Sequence, residues 1–288
     1  MVPGRPGTLP GVAGQTIGES LAYINWTVLA ALAVGSFGAV VLLRVRTDAT
    51  RGFLAFTSAC SALLALLALL ADTALPAPGS TLAIASDPAL DPFRRGALAA
   101  LALVAAAYTI AIARGRRASL LGIAGVAAGG LALGVAAYGW AGGIAQGIPV
   151  AIQLLMLAGA LGGVLAAMIL GHWYLVTPHL SERPLVLLAT ALTWVVGIQV
   201  ILFLAWMATG AGTGAAPFEP LVGEWALFVW LRLLIGLLFP VAVTWGAMQT
   251  ARSRSMESAT GLLYIDVGAI AAGTILAAGL YFGAGLLV

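Results

Sequence analysis

An all-α bundle of about eight membrane-spanning helices is the fold this sequence predicts, and three observations predict it. Apolar stretches of about 20 residues follow one another with little interruption. Charged residues make up 8% of the chain, against roughly a quarter in soluble domains. The mean hydropathy is +1.08. A water-soluble domain of this size needs a charged shell, whereas lipid solvates an apolar exterior and leaves helices to satisfy their own backbones.

Residues 1–18 are rich in Gly and Pro and carry a single arginine. They lack the basic start and apolar core of a secretory signal, and they read as a flexible tail outside the membrane. Residues 19–288 then form one transmembrane domain. Its spans are expected near Ser20–Leu43, Gly52–Asp72, Gly96–Ile112, Ser119–Trp140, Pro149–Val176, Leu185–Gly210, Glu224–Thr250 and Ser258–Leu286. Basic turns at Ala113–Ser119 and Ala251–Ser255 end spans three and seven, 138 residues apart. A parallel four-plus-four repeat accounts for this, and so does convergence on a basic loop.

The arginines give the orientation. Arg44, Arg46 and Arg51 follow span one; Arg114, Arg116 and Arg117 follow span three; Arg183 follows span five; Arg252 and Arg254 follow span seven. The opposite loops and the tail hold only Arg94, Arg95 and Arg5. This bias places both termini on the non-cytoplasmic side of a prokaryotic inner membrane. Trp26, Trp140, Trp206 and Trp225 are expected at the outer interface, and Trp173 and Trp245 at the inner one. Glycines at four-residue spacing (Gly125, Gly129 and Gly130, Gly134 in span four; Gly159, Gly163 in span five; Gly279, Gly283 in span eight) predict close helix packing within the bundle or along a subunit seam.

Composition excludes several chemistries. All 13 basic residues are arginine, so Schiff-base catalysis and a phosphate-loop lysine are absent. Cys60 is the single cysteine, and no Cys/His set has metal-site spacing. The charge of +3 reads as membrane orientation rather than nucleic-acid binding. There is no Ser-His-Asp set, no His-Glu-x-x-His motif and no paired intramembrane aspartate to suggest a hydrolase.

Ionisable groups inside hydrocarbon need a partner or a purpose. Arg232 and Asp266 are each expected about 12 Å deep, from opposite sides of the membrane. Their levels then differ by about 6 Å, within reach of an extended arginine. An Arg232–Asp266 pair is expected, serving either helix register or a proton path. Gln199, Trp230 and Arg232 form a candidate polar site in the outer half of the membrane. Pro240 is expected to kink span seven and free a carbonyl.

Both histidines lie in one segment, Gly171–Pro184, with His172, Trp173, Tyr174 and His179. The segment suits an interfacial anchor. It equally suits a quinone contact and proton relay with Tyr264 and Asp266. A b-type haem would need a methionine or another subunit for its second axial ligand, so none is expected on this chain alone. No metal and no covalently bound cofactor are expected. The leading functional expectation is a membrane subunit of a respiratory or electron-transfer complex, contacting quinone and relaying protons near the cytoplasmic face, with lipid and other redox or membrane subunits as partners and no nucleic acid. A small-solute transporter and a non-catalytic assembly scaffold are the alternatives.

Overall fold

The computed structural model describes residues 10–76, 82, 84–177, 179–210 and 216–288. The protein is an all-helical, multi-pass membrane bundle: eight helical segments are long and apolar enough to cross a bilayer. No strand occurs among the described residues.

Helix α1 spans Pro10–Arg46, so residues 10–18 of the expected tail are helical, while residues 1–9 lie outside the described residues. Helix α2, Arg51–Thr73, starts where the Thr50 hydroxyl accepts the Phe53 N–H. A short 3₁₀ turn, Pro88–Leu90, capped by Asp87, leads into α3, Asp91–Ala113. That span begins five residues before the expected Gly96, which carries Arg94 and Arg95 from the loop into its first turns.

Helix α4, Ser119–Ala141, stops at Gly142, which takes the left-handed conformation (φ 75°). Helix α5, Ile144–Val176, starts before Pro149 rather than at it. Helix α6, Arg183–Thr209, has Pro184 in its first turn and the left-handed Gly210 at its end. Span seven is composite: α7, Ala226–Leu233, passes through a π-helical stretch, Leu234–Leu238, into α8, Phe239–Arg252. Helix α9, Met256–Ala284, completes the bundle.

The core sits around α5, the most buried span, which packs against α1, α4, α6 and α9. α2 and α3 form an antiparallel pair beside α1, and α8 joins α6 to α9. Small residues set the closest crossings. A side chain at Gly35 or Gly162 would enter the backbone of the other helix where α1 crosses α5. Gly125 and Gly129 receive Phe37 and Val34 of α1, and Gly159 and Gly163 face Val195 and Leu192 of α6. Most of the expected glycine rows therefore pack within the bundle; Gly130 and Gly134 do not, since a Cβ there would meet nothing.

Trp26 and Trp140 correct the interfacial expectation. Both are buried, ring against ring with centroids 4.8 Å apart, and Phe282 lies 5.4 Å from Trp140. Trp206 is buried as well, while Trp245 stays exposed.

Candidate functional site

Span seven breaks its α-helical pattern where Pro240 stands. Pro240 has no N–H to return to the Gly236 carbonyl four residues earlier. Arg232 Nη1 donates to that carbonyl instead, at 3.1 Å. Its Nη2 donates to Gln199 Oε1 of α6 at 2.7 Å, and Gln199 Nε2 donates onward to the Met156 carbonyl of α5 at 3.2 Å. One buried guanidinium thus ties α7 and the π-helical stretch to α6 and, through Gln199, to α5. Opposite it, Gly236 meets Gly273 of α9 so closely that a Cβ at either would lie 2.6 Å from the other's Cα. Arg232 Nη1 occupies the space a Gly273 side chain would take. Arg232 Nε has no hydrogen-bond partner among the described residues.

The expected association of Gln199 with Arg232 is therefore present, and Trp230 stands apart from it. The Trp230 ring is exposed and its Nε1 donates to the Leu221 carbonyl.

Asp266 is 0% exposed, and neither carboxyl oxygen has a hydrogen-bond partner among the described residues. No Arg232–Asp266 ion pair forms among the described residues. The two nonetheless border one interface. Asp266, Ile270 and Gly273 share a face of α9, and Asp266 lies about 10 Å along the axis from the Gly273 crossing. The pair fails because the carbonyl freed by Pro240 and the Gln199 amide are the acceptors that engage the guanidinium.

The histidine segment divides by burial. Tyr174 is buried and its hydroxyl donates to the Ser181 carbonyl, pinning the following loop to α5. Trp173 covers Gly52 and meets Phe53 edge-on at 6.5 Å, sealing α5 against α2. His172 and His179 are exposed. Gly171, beside His172, admits Thr260 of α9: a Cβ there would lie 2.7 Å from Thr260 Oγ1. Asp266 is six residues beyond Thr260, about 9 Å along the axis, and Tyr264 between them is exposed. His172 and Tyr264 thus lie on the outside of the bundle and Asp266 in its interior. Nearby, a cleft of about 360 Å³ lies between Tyr174 and the α8–α9 turn, lined by Arg254 and Glu257. Arg254 donates to Glu182 at 2.7 Å beside it. The Glu182 carboxyl is held below the usual carboxylate range, first by its own backbone N–H and then by Arg254.

Sequence reasoning missed one charged cluster. Asp72, at the end of α2, accepts from Arg94 Nε (2.5 Å), Arg94 Nη2 (3.1 Å) and Arg95 Nε (2.9 Å). Asp91 pairs with Arg94 at 2.9 Å. The Arg94 guanidinium lies 5.2 Å from the Trp140 ring centroid and 5.9 Å from that of Trp26. The available signal was an aspartate closing one apolar span and two arginines opening the next.

Among the described residues no group of three or more His, Cys, Asp or Glu is placed to hold a metal ion. No protein-family model matches the chain, and no curated protein is detectably similar to it in sequence.

Proposed function

We propose that the protein is a membrane subunit of an electron-transfer complex, in which Asp266 exchanges a proton with a quinone bound at the membrane-facing surface that carries His172 and Tyr264. The observation that carries this reading is Asp266, a carboxyl group buried in the bundle with both oxygens unbonded. Such a group is costly to keep, because an unpaired polar group in hydrocarbon loses its hydration without compensation. A role that requires its oxygens free to take and give a proton accounts for the cost. His172 and Tyr264 supply exposed hydrogen-bonding groups near the same level, where a ligand dissolved in lipid arrives laterally.

A quinol releases two protons and two electrons. His172 and Asp266 accept the protons, with water carrying one from the surface inward to Asp266. The electrons pass to a partner subunit bearing a redox cofactor. The membrane on this reading is a prokaryotic inner membrane, with the arginine-rich face in the cytoplasm.

The test is quinol-dependent electron transfer in mildly solubilised membranes that retain the partner subunits. His172→Ala and Tyr264→Phe should slow turnover while leaving expression and helix content unchanged. Undiminished turnover in both variants would remove the quinone assignment.

One observation favours a second reading, a small-solute transporter. The π-helical stretch with Arg232 across it is the kind of discontinuity that lines substrate paths. Solute uptake by the lone protein in liposomes would favour that reading over the first.

A further inference from the structure

On the arginine-rich face, a cleft of about 320 Å³ opens between α1, α3 and the start of α4. Arg44 and Arg117 line it, and neither has an ion-pair partner among the described residues. Tyr108 lines it too; it is 1% exposed, and its hydroxyl makes no hydrogen bond among the described residues. α4 begins at Ser119 behind Ala118, which provides no side-chain cap, so its first-turn N–H groups lack a side-chain acceptor. Two unpaired guanidiniums, the free hydroxyl of a buried tyrosine ring and uncapped N–H groups together match a phosphate group.

A second cavity lies next along the same helices, its Leu42 and Val126 falling within one turn of Val41 and Ile123 in the cleft. It is about 300 Å³, lies deeper in the membrane, and is lined by apolar residues and glycines of α1, α4, α5 and α6. Val34, Gly38 and Val45 lie on one face of α1; Ser119, Ile123, Val126 and Gly130 lie on one face of α4. The helices run antiparallel, since Val41 meets Gly122 and Val34 meets Gly129. The basic cleft takes the Val45/Ser119 end of this seam and the apolar groove takes the Val34/Gly130 end. Eleven steps along α4, from Ser119 to Gly130, make the whole about 16 Å long, close to the roughly 15 Å hydrocarbon depth of one leaflet. Val45, Ile123 and Val126 are exposed, so the seam opens sideways to lipid. Gly38 and Gly130 leave space along it, because a Cβ at either would meet nothing.

We propose that cleft and groove form one binding site for an anionic phospholipid, its phosphate held by Arg44, Arg117 and Tyr108 and one acyl chain lying in the α1–α4 groove. A phosphate-binding cleft set end to end with an apolar groove along one face of α4, the two together about one leaflet deep, selects a lipid over a free anion.

The experiment is lipid retention by the purified full-length protein, read by native mass spectrometry after exchange into phosphatidylglycerol or phosphatidylcholine of identical chains. Wild type should retain phosphatidylglycerol preferentially. Arg44→Gln/Arg117→Gln should reduce that preference about tenfold or more, as expected for losing charge-assisted hydrogen bonds. Gly38→Val/Gly130→Val fills the groove without a clash and should reduce retention of both lipids, with helix content unchanged. Equal phosphatidylglycerol retention by wild type and both double variants would overturn the site. Displacement of the lipid by equimolar inorganic phosphate would overturn the lipid assignment in favour of a free anion.

Discussion

Removing the Asp72 charge should destabilise the bundle more than any single change on its surface. Asp72→Asn keeps the shape but leaves Arg94, 2% exposed, with Asp91 as its one anionic partner among the described residues. Breaking a buried pair by removing one member costs about 3–5 kcal/mol. Asp91 survives 2.9 Å from Arg94 Nη2, which places the cost near the lower bound, about 3 kcal/mol. That lowers the folded-to-unfolded ratio by roughly two powers of ten. Arg95 is 38% exposed, so Arg95→Gln should cost about 1 kcal/mol or less. Arg94→Met removes the stranded cation, so Asp72→Asn/Arg94→Met should recover much of the loss, with a coupling of about 2 kcal/mol. Equilibrium unfolding in mixed micelles measures each term, and Trp26 and Trp140, both within 6 Å of the Arg94 guanidinium, report it by fluorescence. Equal costs for Asp72→Asn and Arg95→Gln, or strict additivity in the double variant, would refute the reasoning.

Gln199→Leu deprives Arg232 of its 2.7 Å acceptor and should cost about 1.5–3 kcal/mol in the same unfolding assay, whereas Gln199→Glu should retain stability; a neutral Gln199→Leu would show that the bond is not made. Arg232→Gln and Asp266→Asn should be additive within about 0.5 kcal/mol, because the groups border one interface without touching; a larger coupling would place them in contact. The Glu182–Arg254 link predicts a pH effect. The folded carboxyl is held below its unfolded value, so its contribution is present above the unfolded pKa and disappears as pH falls through the folded one. Wild type and Glu182→Gln should therefore differ at neutral pH and converge in acid. A constant difference across that range would contradict the assignment.

The span pattern was legible because it depends on composition: a run of about 20 apolar residues has one cheap solution in lipid. What composition does not carry is rotation about each helix axis. Trp26 and Trp140 sit at depths that suit interfacial anchors, yet both turn inward onto Arg94 and each other, and Trp140 onto Tyr23 and Phe282 as well. Arg94 was counted with the outer loop because its distance from the span was read without its direction. Counting depth along the axis put Arg232 within reach of Asp266, but side-chain direction was decided by Pro240, whose missing N–H offers Gly236 O to the guanidinium. The Gln199–Arg232 association was readable from depth alone because both residues fall near the same level on adjacent spans. The Gly35–Gly162 crossing of α1 and α5 uses neither member of the Gly159/Gly163 row, which faces α6 instead, so the four-residue spacing does not mark it. The α1–α4 seam was hidden for a related reason: it needs the pairing of two helices 70 or more residues apart in the chain.

Asp266→Leu addresses the central claim, that an unbonded carboxyl is kept inside the bundle for proton transfer rather than for stability. Leucine removes a buried group without partners, so the unfolding transition should hold or rise. Quinol-dependent turnover of the intact, partner-containing complex is the decisive measurement. The account predicts that turnover is abolished in this stably folded variant; turnover at the wild-type rate would contradict it.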